Sequence, residues 1–256
     1  MTNAHAAYIL RLADDALVLG HRLSEWCGKA PALEEDLALA NQGLDLIGQA
    51  RLFYAYAGDI EGRLVPGGKG RDEDQFAYLR DAPGWRNILL VEQPNGDFAS
   101  TVMRQLLYAA FTAPYFDALA ASPDRRLAEI AAKAVREMAY HVRHAGEWVI
   151  RLGDGTAESH RRASAALDEL WPYTGELLEA TAEERVLAAS GIVPDRAALR
   201  PRFEATVAHI LAEATLARPR DGWMQSGGRQ GRHSEHLGHL LAELQFMQRT
   251  YPGARW

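Results

Sequence analysis

LALANQGLDLIGQARLFYAY, residues 37–56, sets three polar side chains, Asn41, Asp45 and Gln49, into an otherwise apolar helical pattern. Residues four apart share one face of a helix. Their neighbours Leu37, Leu44, Leu46, Ile47, Leu52 and Phe53 predict a helix that is largely buried. A second stretch, EMAYH, repeats the spacing with Glu137 and His141. Carboxylates and a histidine on buried helices point to a four-helix bundle of the di-iron type. What matters next is whether the ligand set such a bundle needs is complete.

Helical periodicity dominates on both sides of this stretch. Residues 5–27 carry Ala7, Ile9, Leu10, Ala13, Leu17, Leu23 and Trp26 near the i, i+3, i+4, i+7 template. GKAP (28–31) breaks the chain. Pro31 then stands where a helix can begin, with Glu34, Glu35 and Asp36 in its first turn, suited to the helix dipole. This second helix is expected to reach about Tyr56. From Asp59 to Gly96 the pattern gives way to VPGGKGRDEDQ and to the turn signals PG and PNG, with a short helix and an irregular apolar strip within 74–92. Long helices follow at about 97–121 and 124–152, then 156–180, 196–217 and 233–250. No strand pattern competes, and no repeat of roughly 20–50 residues is present. The expectation is one all-α domain over residues 1–256. Its ferritin-like four-helix bundle occupies about 5–152, and additional C-terminal helices occupy about 156–250.

Composition narrows the function classes. The chain has 256 residues, 48% hydrophobic and 24% charged, as expected of a globular protein. A formal net charge of −6 gives no footprint for nucleic acid. The single cysteine, Cys27, excludes an intrachain disulfide and fits a reducing compartment. The N-terminal apolar run lacks a basic flank and is interrupted by Asp14 and Asp15, unlike a signal peptide. No stretch approaches ~18 uninterrupted apolar residues, so no membrane span is expected and the cytoplasm is the expected location.

Di-iron bundles take one Glu from each of two helices and a Glu-x-x-His pair from each of the other two. None of the nine histidines has a Glu three positions before it; those positions hold Thr, Val, Met, His, Ala, Thr, Gln, His and His. The available pairs are Asp45 with Gln49 and Glu137 with His141, and Gln49 offers only a neutral amide oxygen. Two ferrous ions carry four positive charges, which several carboxylates must offset in a buried site. The first helix offers Asp14, Asp15 and Glu25; the third offers only Asp117, near its end, while Gln105, Leu106 and Tyr108 bring no charge. The count is too low for two irons. The stripe therefore reads as the former location of a metal site, filled by a hydrogen-bonded network in which Glu137 and His141 answer Asn41, Asp45 and Gln49. An incomplete or mononuclear site on Asp45, Glu137 and His141, in a metalloenzyme in its own right, is the alternative.

Three further features carry candidate chemistry. His233, His236 and His239 fan over part of one helix, with helix-surface and N-cap roles favoured over metal binding. SGGRQGR (226–232), with Arg229 and Arg232 before a helix, has the physics of an anion site, although a surface turn or docking loop explains it equally. In GWRN, Arg86 and Asn87 make a second candidate anion contact, with Trp85 beside them free to stack on an adenine or pack on a partner, against the reading of Trp85 as a loop aromatic anchored in the core. No nucleophile elbow, Cys–His pair or P-loop is present.

LRLADDALVLGHRLSEWCGKAPALEEDLALANQGLDLIGQAR, NILLVEQPNGDFA, GGRQGRHSEHLGHLLAELQFMQR and PGARW closely resemble the PaaC-like family of bacterial phenylacetyl-CoA epoxidase (ring 1,2-monooxygenase) subunits, nearly end to end. The resemblance implies a ferritin-like fold that has lost its iron ligands, reading Leu46-x-x-Gln49 where a catalytic relative has Glu-x-x-His. It implies a structural subunit without a cofactor of its own. Its expected partner is the di-iron catalytic subunit, with other small subunits in the complex. A reductase carrying FAD and an iron–sulfur centre supplies electrons from NADPH. The substrate of the whole is phenylacetyl-CoA. The PGGKG stretch at 66–70 receives no role from it.

Overall fold

The computed structural model describes residues 3–64 and 67–254; Val65, Pro66 of the PGGKG stretch, and Arg255 and Trp256 of PGARW lie outside the described residues. Four long helices carry the fold: α1 (Asn3–Ser24), α2 (Leu33–Leu64), α5 (Phe98–Leu119) and α6 (Arg125–Gly153). Between α2 and α5 lie the short α3 (Glu73–Tyr78) and α4 (Leu89–Glu92). After α6 come α7 (Ala157–Leu170), α8 (Gly175–Leu178), α9 (Ala182–Ala189), α10 (Arg200–Glu213) and α11 (Glu235–Thr250). No strand occurs among the described residues, and the chain is an all-α, ferritin-like bundle with additional C-terminal helices.

Local chemistry sets the helix ends. Asp97 accepts from the Ser100 N–H at the start of α5, and Asp124 from the Arg126 and Leu127 N–H groups at the start of α6. Thr156 and Ser159 form a reciprocal box ahead of α7. α2 runs one turn or more past the expected end at Tyr56, to Leu64. The expected helix at 156–180 is divided, because Pro172 follows Trp171 and the chain passes through a 3₁₀ turn before α8. Between the expected fifth and sixth helices, Thr181 and Glu184 build a capping box and start α9.

α1 packs along α2, and α5 along α6. Gly20 and Gly43 face each other across the first pair, where a Cβ on Gly20 would lie 3.1 Å from the Gly43 carbonyl oxygen; two missing side chains let the backbones approach. α5 is the central helix, with 17 of its 22 residues buried, which explains its near-continuous apolar sequence. α7 and α10 lie over α5 and α6, α9 on α1, and α11 over α3 and α4.

The reading of α2 needs correction. Its inward stripe is Leu39, Gln42, Leu46, Gln49 and Phe53, whereas Leu37, Leu44 and Leu52 point outward and are exposed, and Ile47 lies at the edge, against Gly20 of α1. Neighbouring helices cover α2 on the sides facing α1 and α6 and leave its third side open. Apolar identity was therefore a poor guide to burial along this helix.

Candidate functional site

The inward polar residues of α2 meet α5 and α6 in one connected layer. His141, fully buried, has Nε2 3.1 Å from Asp45 Oδ2 and Nδ1 2.8 Å from Gln105 Nε2 of α5. The Gln49 amide donates to Glu137 Oε2 at 2.8 Å, and Lys133 stands 3.6 Å from the other oxygen of Glu137. One turn along, His144 repeats the pattern, with Nδ1 2.9 Å from Gln42 Nε2 and Nε2 2.8 Å from Glu35 Oε2. Each ring Nδ1 thus meets a glutamine amide, and each ring Nε2 meets a carboxylate. At the far end of the same seam the Tyr56 hydroxyl donates to Asp124 at 2.6 Å, so α2 and α6 run antiparallel.

Of the five residues read as the degenerate site, the structure brings together Asp45, Gln49, Glu137 and His141. Asn41 lies outside the network, one position off the buried stripe and exposed. The sequence reading did not assign Gln42, Glu35 or Gln105 to the layer. Glu35, Gln42 and Gln49 recur every seven residues, a signal of one shared face that the four-residue spacing hid.

This donor set does not fit two irons. Both nitrogens of His141 and of His144 are engaged, and the carboxylates of Asp45, Glu137 and Glu35 are each tied to one of the layer's own side chains. α1 contributes nothing to the layer, and α5 contributes a neutral amide. The buried oxygens without a hydrogen-bond partner here, Gln42 Oε1, Gln49 Oε1 and Gln105 Oε1, are uncharged. Among the described residues no group of three or more His, Cys, Asp or Glu side chains is placed to hold a metal ion.

The acids of α1 serve another purpose. Asp14 accepts from Arg80, from the Tyr54 hydroxyl at 2.6 Å and from the Arg86 N–H at 2.8 Å. Asp15 binds Arg229 at 2.7 and 3.1 Å and the Ile88 N–H at 2.8 Å. Burial pushes the Asp15 carboxyl up, and Arg229 pulls against it. Glu92 and Glu176, both buried, act alike: Glu92 takes Asn87, His233 and the Ser234 N–H, while Glu176 takes the N–H groups of Leu89, Gly227 and Gly228. Four buried carboxylates thus hold the irregular segments 80–93 and 225–234 against the bundle.

That arrangement places the candidate anion contacts. Trp85 is fully buried beneath the Arg80 guanidinium, 4.4 Å from its ring centroid. Asn87 and Arg229 are buried and engaged with Glu92 and Asp15. The structure places all three in the interior, with Trp85 packed in the core and Arg229 paired to Asp15 rather than facing solvent. Arg86, half-buried, folds back onto the carbonyls of Pro83 and Trp85, each at 2.6 Å, and rests against Gly231. Arg232 is exposed. His233 is spoken for by Glu92, His236 is partly buried and His239 exposed, and they form no cluster.

Fold and layer define a class: a ferritin-like bundle whose metal layer is closed by its own side chains. The chain belongs to the family of phenylacetic acid catabolic proteins, whose model matches residues 1–256. It is 46% identical over 254 residues to the C subunit of 1,2-phenylacetyl-CoA epoxidase from Escherichia coli (strain K12), covering 99% of this chain and 100% of that protein. No helix among the described residues is long and apolar enough to cross a membrane.

Proposed function

We propose that this chain is a non-catalytic structural subunit of a multicomponent phenylacetyl-CoA 1,2-epoxidase, binding and stabilising the di-iron catalytic subunit in aerobic phenylacetate catabolism. The observation that carries the reading is the closed layer: His141 and His144 are each bonded at both nitrogens, and the carboxylates are bonded within the layer. End-to-end similarity to a known epoxidase subunit supports the same role. Iron, and the electrons delivered through the reductase, then belong to other chains.

The test is co-expression with the catalytic subunit, followed by size-exclusion chromatography and iron analysis of each separated chain. The expected result is a stable complex in which iron follows the catalytic subunit and this chain holds well under one iron. A chain that takes up two irons on anaerobic reconstitution and turns over phenylacetyl-CoA alone would refute the proposal and favour the metalloenzyme reading.

A further inference from the structure

Residues 216–227 run from the end of α10 to the glycine loop without helix. The segment crosses α8, where the Gln225 N–H donates to the Pro172 carbonyl at 2.8 Å. Met224 rests where Gly175 has no side chain; a Cβ there would lie 2.9 Å from the Met224 Cβ. Beneath the segment is a cavity of about 260 Å³, outside the α2–α5–α6 layer. Trp171 and Phe203, both buried, form its aromatic walls, with Leu178 and Met224 beside them.

The charged lining of this cavity is unbalanced. Three carboxylates, Glu179, Glu204 and Asp221, face two guanidinium groups, Arg200 and Arg218. Arg200 stands 3.4 Å from Glu204, while Glu179 is exposed and has no ion pair among the described residues. Arg218 is a cation held within the cavity by the chain itself. Its guanidinium lies 4.8 Å from the Trp171 ring centroid, donates to the two oxygens of Asp221 at 2.9 and 3.0 Å, and stands 4.0 Å from Glu204. The Trp171 N–H donates to the same carboxylate at 3.2 Å and so fixes it at the ring edge. Arg218 holds the Asp221 carboxyl below its ordinary value. The side chains of Arg218 and Asp221 are 38% and 55% exposed, so their pair is open to competition from solvent.

We propose that this cavity binds a guanidinium group, and that Arg218 fills the site until a ligand displaces it. An aromatic face, a carboxylate set for a planar fork and a surplus of negative charge are what such a cation needs. Arg218 already uses all three. Swinging its side chain into solvent requires no change of backbone, and it leaves Glu179, Glu204 and Asp221 against Arg200 alone. An ammonium fits less well, because a point charge cannot lie flat on the ring and meet two oxygens at once. An anion meets the surplus of carboxylates, and an apolar molecule would strip them of water without replacing it. The guanidinium can arrive on a small free molecule or on an arginine of another chain.

The experiment titrates the full-length chain by calorimetry with agmatine, which carries a guanidinium, and with putrescine, which carries only ammonium groups. The indole N–H resonance of Trp171, assigned with Trp171→Phe, locates the event. Agmatine should bind at millimolar concentration and shift that resonance, and putrescine should bind more weakly. Arg218→Ala removes the internal competitor and should bind agmatine about ten-fold more tightly, as expected if Arg218 leaves the site open roughly a tenth of the time. Arg218→Lys keeps the charge without the fork; it should fall between, and it carries the comparison if the alanine variant does not fold. Glu179→Gln with Glu204→Gln should weaken binding several-fold. Equal affinity in the parent and both Arg218 variants, an unmoved Trp171 resonance, or putrescine matching agmatine overturns the assignment, as does the absence of binding to any of these proteins. Acetyl-Ala-Arg-Ala-amide then separates the two sources: binding tighter than agmatine supports an arginine of another chain at this site, and weaker binding supports a free molecule.

Discussion

Replacing Glu176 by Gln changes one atom in a buried side chain and should loosen two segments far apart in sequence. Glu176 Oε2 accepts the Leu89 N–H at 2.7 Å, and Oε1 accepts the N–H groups of Gly227 and Gly228 at 2.7 and 2.9 Å. A glutamine has one acceptor and one donor end. Its best pose keeps the carbonyl on the two glycines and turns its NH₂ toward the Leu89 N–H, donor against donor. One charge-assisted bond is lost, at about 1.5–3 kcal/mol, and the two that remain lose their ionic acceptor. The expected total is about 3–4 kcal/mol. At about 2–4 °C per kcal/mol for a chain of this size, the melting midpoint should drop by roughly 10 °C. The loop cannot easily re-form elsewhere, because Gly227 sits at φ +138° and Gly231 at φ +77°. The assay is a thermal melt followed by circular dichroism of the helices, paired with limited proteolysis mapped by mass spectrometry. Cleavage between residues 217 and 232 should accelerate in the variant. A midpoint within about 2 °C of the parent, with cleavage unchanged, would refute the idea that this carboxylate anchors both segments.

Four other substitutions test neighbouring parts of the structure. Burial works against the charge of Glu184, yet Arg196, Arg229, the Thr181 N–H and Arg11 together hold its carboxyl at about 2, below its ordinary 4.5. A depressed carboxyl contributes stability above the unfolded value and loses it as pH falls from about 4.5 toward 2. The contribution is about 3 kcal/mol, so urea midpoints of the parent should decline over that window and those of Glu184→Gln should decline less. Arg229→Ala leaves Asp15 buried without its cation; urea unfolding should show a loss of about 3–5 kcal/mol, whereas a ligand contact at the surface would leave stability unchanged. Gly58→Ala directs a methyl into the Arg71 carbonyl oxygen, where the loop ending the PGGKG stretch lies on α2. It should cost about 2–3 kcal/mol in the same assay, and a neutral result would show that the loop moves aside freely. His144→Ala removes the bridge between Glu35 and Gln42, and hydrogen exchange should then quicken in the first three turns of α2 but not in α5.

The long helices were legible because their apolar periodicity and caps are local properties: Asp97, Asp124 and Pro31 mark their ends within a few residues of where they fall. The absence of Glu-x-x-His was legible for the same reason, since a helix fixes which residues share a face. Partners across helices were not. His141 could be placed opposite Asp45 once a bundle was assumed, but nothing in the spacing said that Gln105 would complete that chain or that Glu35 would take His144. The error at Asn41 came from choosing one residue too early on the same helix, and that of Leu37 and Leu44 from equating apolar with buried. The role of Trp85, Asn87 and Arg229 was least legible. Glycines and arginines before a helix describe an anion site and a buried loop anchor equally well, and only the position of Asp15, more than 200 residues away in sequence, separates them.

The distribution of buried charge suggests why this bundle keeps so many ionic groups. Apolar side chains of similar volume would often be as stable, so buried carboxylates are weak evidence of stability for its own sake. Here each one has a position to specify. Asp14, Asp15, Glu92 and Glu176 bind backbone N–H groups of segments that have no regular structure to hold them. Asp45 and Glu35 take hydrogen bonds from α6 histidines across a seam where α2 and α6 touch much less than α1 and α2 do. Those two bridges fix the rotation of α2 about its own axis against α6. A metal layer fixes four helices by shared ligands; this layer ties three of them, α2, α5 and α6, by paired hydrogen bonds. What the bridges preserve is the rotation of α2 within the bundle, and with it which of its side chains face α6.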